Sequence, residues 1–278
     1  GVANIEDRAF GAGARFDTSL ASGGNPNLKP EEADTITAGI IYQPSFLPGF
    51  QASVDWYEIE INGAVGQLGL QAIVDECFDS PNSQACSLVT RDPNTNVIVL
   101  VENVFVNINA AKASGIDFEL AYRMDFGPGN LGWRFLGTQL NENSITNFGS
   151  PKVDFAGDVG VSEFPDFKFT TNLTYTQGPY SAFLQARYIG SGLNDARDIE
   201  GVTISDNSID SVLYTDARVS YARDTANWEV FASVTNLFDE EPPVVPGFSS
   251  FSGQTSQVNS AIHDILGRRF TVGFNYNL

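Results

Sequence analysis

The chain has 278 residues, carries a formal net charge of −19, and is 42% hydrophobic and 12% aromatic with a mean hydropathy of −0.10. That composition excludes a disordered polymer and a helical membrane protein, because no apolar run reaches the ~18–20 residues that span a bilayer as a helix. The charge argues against nucleic acid as a partner, since such a chain repels phosphate. It leaves open a membrane β-barrel, whose alternating strands are invisible to hydropathy windows.

The chain begins in a polar, glycine-rich segment with no initiator Met and no signal-peptide pattern, and reads as a piece of something longer or as processed material. Asn25-Pro26 and Lys29-Pro30 then mark a turn and extended backbone. From Thr35 the pattern has period two, with Ile36, Ala38, Ile40 and Tyr42 on one face. Nine strands follow from this periodicity: 34–43, 49–61, 112–125, 130–142, 164–176, 180–190, 211–222, 226–237 and 267–278. Between the second and third, Gln67–Phe78 has the spacing of a short amphipathic helix with Leu70, Ile73 and Val74 on one side. The segment Asn96–Asn107 is extended and is expected to pair within its own loop. In the same region Cys77 and Cys86 read as a local disulfide in an oxidising compartment, with two free thiols as the alternative. Without a nearby histidine they make a poor zinc site.

The connections alternate in length. PSFLPG, FGPGN, QGP and RDTAN are short, whereas the gaps at 62–111, 143–163, 191–210 and 238–266 are long. That alternation is the mark of an up-and-down barrel with tight turns on one side of a membrane and large loops on the other. Each strand also has one face without charge. The apolar sets run Phe50, Ala52, Val54, Trp56; Ile116, Phe118, Leu120, Tyr122; Leu131, Trp133, Phe135; Phe167, Phe169, Leu173, Tyr175; Tyr180, Ala182, Leu184, Tyr188; Leu213, Ala217, Val219, Tyr221; Trp228, Val230, Ala232, Val234; and Phe270, Val272, Phe274, Tyr276, Leu278. The opposite faces carry Asp55, Asp117, Glu119, Arg123, Asp125, Arg134, Asp166, Lys168, Arg187, Asp216, Arg218 and Glu229. So many charges do not suit a dry core, but they suit a water-filled or polar-plugged lumen. In the last strand this places Thr271, Gly273, Asn275 and Asn277 in the lumen and Val272 and Phe274 toward lipid. Beside nearly every short turn the apolar face ends in an aromatic residue, as at Tyr42, Phe50, Tyr122, Trp133, Tyr175, Tyr180, Tyr221, Trp228 and Tyr276, which would form an interfacial girdle. Phe183 and Phe231 depart from this by lying on the polar parity.

The stretches NPNLKPEEADTITAGIIYQP, GFQASVDWYEIEI, GIDFELAY, SVTNLFDEEPP and GRRFTVGFNYNL, in that order, resemble the C-terminal part of the β-barrel of TonB-dependent outer-membrane receptors. The resemblance extends over nearly the whole chain from Asn25. It implies an antiparallel transmembrane β-barrel of 22 strands, of which residues 1–278 supply the last nine or so, with long extracellular loops and short periplasmic turns. It further implies residence in the outer membrane of a Gram-negative bacterium, contact with outer-membrane lipids, and energy-coupled uptake of a scarce small solute. The N-terminal plug domain and the segment that contacts TonB, both partners of such a barrel, have no counterpart in these residues. An odd strand count also departs from a complete single-chain barrel, and the final residue is Leu278 where many such barrels end in Phe.

No catalytic constellation stands out, so the chain is not read as an enzyme. His263 is the only histidine, and its neighbours Ser260 and Asp264 in SAIHDILG do not by themselves make a triad. Asp117 and Glu119 share a face as any lumen-lining pair would. There is no phosphate-binding loop, metal-ligand cluster or cofactor motif. Asp117, Glu119, Arg134, Asp216 and Arg218 are the candidate lumen-facing contacts for a ligand or plug. Acidic, Asn-rich and aromatic loops suit carbohydrates, metal chelates and small vitamins alike, so the residues single out no one solute. A passive porin or structural barrel is the alternative reading, with a barrel esterase and a secreted β-rich binding protein behind it.

Overall fold

The computed structural model describes residues 1–146, 151–222, 227–245 and 257–276, with the side chains of residues 108 and 109 left aside. The expected faces of Asn277 and Leu278, the start of the eighth predicted strand at Ala226 and most of the RDTAN turn lie outside the described residues. In chain order the strands are β1 (Val2–Glu6), β2 (Arg15–Gly23), β3 (Glu32–Tyr42) and β4 (Phe50–Gly66). Helix α1 (Leu70–Asp79) precedes β5 (Val89–Arg91) and β6 (Ile98–Val104). Next come β7 (Val106–Phe126), β8 (Gly129–Thr146), β9 (Val153–Asp154), β10 (Phe167–Gln177) and β11 (Tyr180–Ile189). The last are β12 (Gly192–Leu193), β13 (Ser208–Ile209), β14 (Val212–Ala222), β15 (Trp228–Thr235) and β16 (Arg269–Tyr276).

One sheet takes β3, β4, β7, β8, β10, β11, β14, β15 and β16 side by side in chain order, with β9 pairing off β8. All nine strands expected from period two are present. Three outrun their expected ends furthest: β4 continues to Gly66, β7 starts at Val106 and β8 runs to Thr146. Asn62-Gly63 looks like a turn in sequence, but the strand passes through it. Gly63 takes φ +64° there, a conformation most side chains resist, and its carbonyl accepts a hydrogen bond from Asn107 Nδ2 at 2.8 Å. The chain divides into two compact units, the first of residues 1–34, 59–112 and 144–153, the second of residues 35–58, 113–143 and 154–278.

The first unit holds a small four-stranded sheet in the order β1, β2, β6, β5, with β2 and β6 parallel. The 96–107 segment pairs within its own loop, as expected, only through β6 against β5; β6 also lies parallel to β2, which precedes that loop, and Val106 and Asn107 open β7. The hairpin of β1 and β2, with Ile5 opposite Phe16, was not anticipated, because its strands are short and bracketed by glycines. Helix α1 covers this sheet at the expected place. Its Ile73 and Val74 are fully buried against Ile5, Ala85, Ile98 and Val101, with Leu70 partly buried beside them. At about 25 cal/mol per Å² each such aliphatic side chain contributes roughly 1.5–3 kcal/mol. Cys77 and Cys86 are joined as a disulfide that ties the end of the helix to the turn after it.

In the second unit the register decides the faces. Leu131 sits opposite Tyr175, Trp133 opposite Leu173, and Leu173 opposite Leu184. Leu184 pairs Ala217, Ala217 pairs Val234, and Val234 pairs Phe270. Apolar faces chosen strand by strand therefore fall on one continuous side from β8 to β16, and no residue on that side of those strands is charged. The buried core of this unit lies elsewhere, among its long connections, where Val159, Ile209 and Val245 meet Ile262. Little of the apolar face is buried, and Val272 is 84%, Val219 58% and Leu184 43% accessible.

Candidate functional site

The polar side of the second unit carries the charges that the sequence assigned to it. One row runs Arg134, Asn172, Gln185, Asp216 across four strands. The next runs Thr174, Phe183, Arg218, Ser233, Thr271. Neighbouring strands pair these charges. Arg134 holds Glu119 with Nη2–Oε1 at 2.8 Å, and Thr138 Oγ1 donates to Asp117 Oδ1 at 2.7 Å. Asp216 accepts from the Asn236 backbone N–H at 2.8 Å and faces Arg187 Nε at 3.9 Å. Arg218 donates to Glu229 at 2.9 Å, and Asn275 Nδ2 donates to the other carboxylate oxygen at 2.9 Å. Val272, Phe274 and Asn275 thus take the predicted parity, with Val272 opposite Ala232.

Aromatics on this side sit beside arginines: the Tyr214 ring lies 5.5 Å from the Arg187 guanidinium, and Phe183 and Phe231 flank Arg218. The Arg218 guanidinium lies 3.8 Å from the centre of the Phe231 ring, a cation–π contact. Phe231 also covers Gly273, where a Cβ would come within 2.3 Å of the ring and push it off its place. Phe183 registers against the same Arg218.

A cavity of about 450 Å³ opens on this side, lined by Asp55, Asp117, Glu119, Lys168 and Arg187 from strands and by Glu163 from a connection. Of the five candidate contacts, Asp117 and Glu119 line it. Arg134 reaches it only through its ion pair with Glu119, while Asp216 and Arg218 lie outside its lining. Sequence reasoning missed Glu163 and Ile262 as wall residues, because both come from loops whose fold no periodicity reveals.

The apolar side ends in rings at both extremes. Toward the short turns Tyr180, Tyr221, Trp228 and Phe274 follow one another with centroids 5.0, 5.6 and 6.4 Å apart. Toward the long connections Phe135, Phe169 and Tyr188 stack at 5.3 and 5.1 Å. The second band was latent in the sequence, since all three residues were on the apolar parity; only the register aligns them. The Trp133 indole N–H, which lies on this side, is satisfied by Thr171 Oγ1 at 2.9 Å.

His263 is 5% exposed, and its burial depresses its pKa to about 4. Among the described residues neither imidazole nitrogen has a hydrogen-bond partner. Ser260 is exposed, and Asp264 Oδ1 is engaged by Arg269 Nη1 at 2.9 Å, so the three do not form a hydrogen-bonded triad. Burial pushes Asp264 up, but Arg269 and the Leu266 N–H outweigh it and leave the carboxyl below its usual range. Asp158, wholly buried, is raised by the same loss of water despite N–H bonds from Ala196 and Ser162. Among the described residues no group of three or more His, Cys, Asp or Glu side chains could hold a metal ion.

In the first unit the buried charge is Asp7, 1% exposed, held by Arg91 through contacts of 2.6 and 3.1 Å. Asn107 grips the residues before β3: its Oδ1 accepts from Lys29 N–H at 2.8 Å and its Nδ2 donates to Lys29 O at 2.8 Å. Glu31 Oε1 accepts from Val65 N–H at 2.6 Å. The NPNLKPE stretch is thus a backbone clamp on the approach to β3.

A sheet of antiparallel strands in chain order, one side apolar and ringed by aromatics, the other charged, defines an outer-membrane-type β-barrel protein. The family model for the TonB-dependent receptor-like β-barrel matches residues 7–237, and the chain belongs to that family. No curated protein matches it. Solved structures with the same fold include a mutant of the ferric enterobactin receptor PfeA of Pseudomonas aeruginosa, with 16% identity and a TM-score of 0.59 over 91% of this chain and 32% of that one. The outer membrane transporter YddB of Escherichia coli matches at 13% identity and a TM-score of 0.55, over 94% and 34%. The FrpB iron transporter of Neisseria meningitidis matches at 17% identity and a TM-score of 0.56, over 93% and 32%. The chain spans about a third of the length of these structures.

Proposed function

We propose that residues 1–278 are the C-terminal portion of a 22-stranded outer-membrane receptor barrel that imports a scarce small solute with energy relayed by TonB. The receptor works with a plug domain and sits in the outer membrane of a Gram-negative bacterium; it is not an enzyme. The long connections face outward and the short turns face the periplasm. The observation that carries this reading is the uncharged apolar face, continuous through six strands and bounded by aromatic rings at both ends. Tyr180 and Tyr188 mark the two bands on β11, eight residues apart. At about 3.4 Å per residue and a tilt near 40° that separation is roughly 20 Å across the membrane, close to the ~25 Å apolar band of outer-membrane barrels. The opposite side, with its paired charges and cavity, is then the lumen, where Asp117 and Glu119 are open to a solute or plug and Arg134, Asp216 and Arg218 hold the wall.

The test uses cells expressing the full-length receptor. Mass spectrometry compares what they remove from the medium with and without a protonophore. A solute depleted only by energised cells supports active uptake. Depletion indifferent to the protonophore identifies a passive porin, and a receptor absent from the outer-membrane fraction overturns the location.

A further inference from the structure

A groove of about 520 Å³ lies wholly within the first unit and shares no lining residue with the cavity of the second. Three stretches build it: residues 24–29 before β3, residues 84–88 after α1, and the end of β6 with the start of β7. Each is held by bonds of its own. Asn107 takes both backbone groups of Lys29 at 2.8 Å. Asn25 Nδ2 donates to Phe105 O at 2.9 Å, and its Oδ1 accepts from the Asn27 N–H at 2.9 Å. The Cys77–Cys86 disulfide and the Cys86 N–H to Ser83 O bond at 3.2 Å hold the turn at 84–88. The floor is sheet, since β6 pairs with β2 and β5.

The side chains that do this fastening are used up, but others that reach the groove are not. The amides of Asn27 and Gln84, the Lys29 ammonium and the Glu102 carboxylate have no hydrogen-bond or ion-pair partner among the described residues. Ser87 Oγ donates to Gln84 O at 2.7 Å and keeps its acceptor lone pairs. Free polar groups carried on pinned backbone suit a binding site, because little further backbone order is lost when a ligand arrives.

The lining also narrows the ligand. Lys29 and Glu102 cancel in charge, within a chain of net charge −19, so the groove favours neither a polyanion nor a polycation. Amide, ammonium and carboxylate together offer donors and acceptors in one place, which matches hydroxyl groups that both give and accept. Leu88, Val104 and Val106 add apolar surface for C–H faces, and no aromatic side chain lines the groove to stack a flat ring. Its volume falls in the range of about 300–1,000 Å³ that small-molecule sites occupy. We propose that this groove binds a neutral, hydroxyl-rich small molecule, a saccharide of disaccharide size. That this ligand is the imported solute rests on the receptor reading; that the groove binds it does not.

The test is titration of the full-length receptor by saturation-transfer NMR, in a detergent without a sugar headgroup, with maltose, cellobiose, lactose and xylobiose as probes. At least one should bind. Gln84→Ala and Glu102→Ala should each weaken that binding, Glu102→Ala by about tenfold or more, because a hydrogen bond to a charged group is lost. Neither side chain holds another part of the protein, so exchange protection on β6 should be unchanged in both. Lys29→Ala, at an exposed side chain, replaces either variant that fails to fold. Ferric citrate, an anionic chelate, should respond to none of these substitutions. The proposal is overturned if no disaccharide binds, if binding ignores all the substitutions, or if they shift ferric citrate instead. No uptake enters the readout. A passive barrel that binds the disaccharide leaves the proposal standing, and an energised importer that binds none refutes the proposal alone.

Discussion

Leu184→Arg and Gln185→Arg, adjacent on β11, test the assignment of faces. Leu184 lies in the row Trp133, Leu173, Leu184, Ala217, Val234, Phe270, four residues from the aromatic Tyr180 and four from Tyr188. It is therefore near the middle of the apolar band. An arginine there must be stripped of water or dragged toward an interface, which costs about 2–4 kcal/mol at the midplane of a barrel. Gln185 faces the other way, donates to Asn172 Oδ1 at 2.9 Å, and registers against Asp216. Gln185→Arg forfeits one hydrogen bond of roughly 1 kcal/mol and gains a carboxylate within reach, so its net effect should stay below ~1 kcal/mol. The assay is urea unfolding of the full-length receptor in one bilayer composition, both variants side by side. A larger loss for Gln185→Arg would invert the register of β11 and, through its paired neighbours, of the whole face.

Arg91→Ala should strip Asp7 of its partner and destabilise the first unit by about 3 kcal/mol, the low end for a broken buried pair because Arg91 is 24% exposed; exchange protection on β1 and β6 reads this, and an unchanged pattern would refute it. Replacing Cys77 and Cys86 by serine should cost that unit about 2–3 kcal/mol by the chain-entropy model and leave the urea midpoint of the β10–β16 strands unmoved; a shift of that midpoint would show the disulfide acting beyond its own loop. His263 has a folded pKa depressed from 6.5 to about 4, so the unfolded chain takes up its proton first. Its contribution is nil above pH 6.5 and destabilising by up to about 3 kcal/mol as pH falls to 4. The raised Asp158 acts in the opposite sense, so the measurement is the pH dependence of amide exchange protection at Val159 and Leu193 in wild type against His263→Leu. The variant should be less acid-sensitive across that window, and equal slopes would refute the burial of a neutral imidazole.

The strands were legible because their chemistry repeats every two residues and the sequence keeps that period through Leu184, Val219 and Phe274 alike. The disulfide and the buried face of α1 were legible for the same local reason: Cys77, Cys86, Ile73 and Val74 are close in sequence to what they contact. What stayed hidden depends on partners far along the chain. Asn259 meets residues about a hundred positions earlier, and Asp7 meets Arg91 across 84. Nothing in an isolated Asn or Asp announces such a partner. The clamp at Asn107 was hidden differently. Asn62-Gly63 signals a turn by local chemistry, and only a distant amide holds it in a strand.

If the second unit lies in a membrane as proposed, its apolar face meets lipid. Nitroxides placed one at a time at residues 182–187 of β11 in the full-length receptor, reconstituted in bilayers, test it through accessibility to oxygen and to a water-soluble nickel chelate. Access should alternate with a period of two, with positions 182, 184 and 186 favouring oxygen and 183, 185 and 187 favouring the chelate. The opposite phase, or equal access at all six, would contradict it.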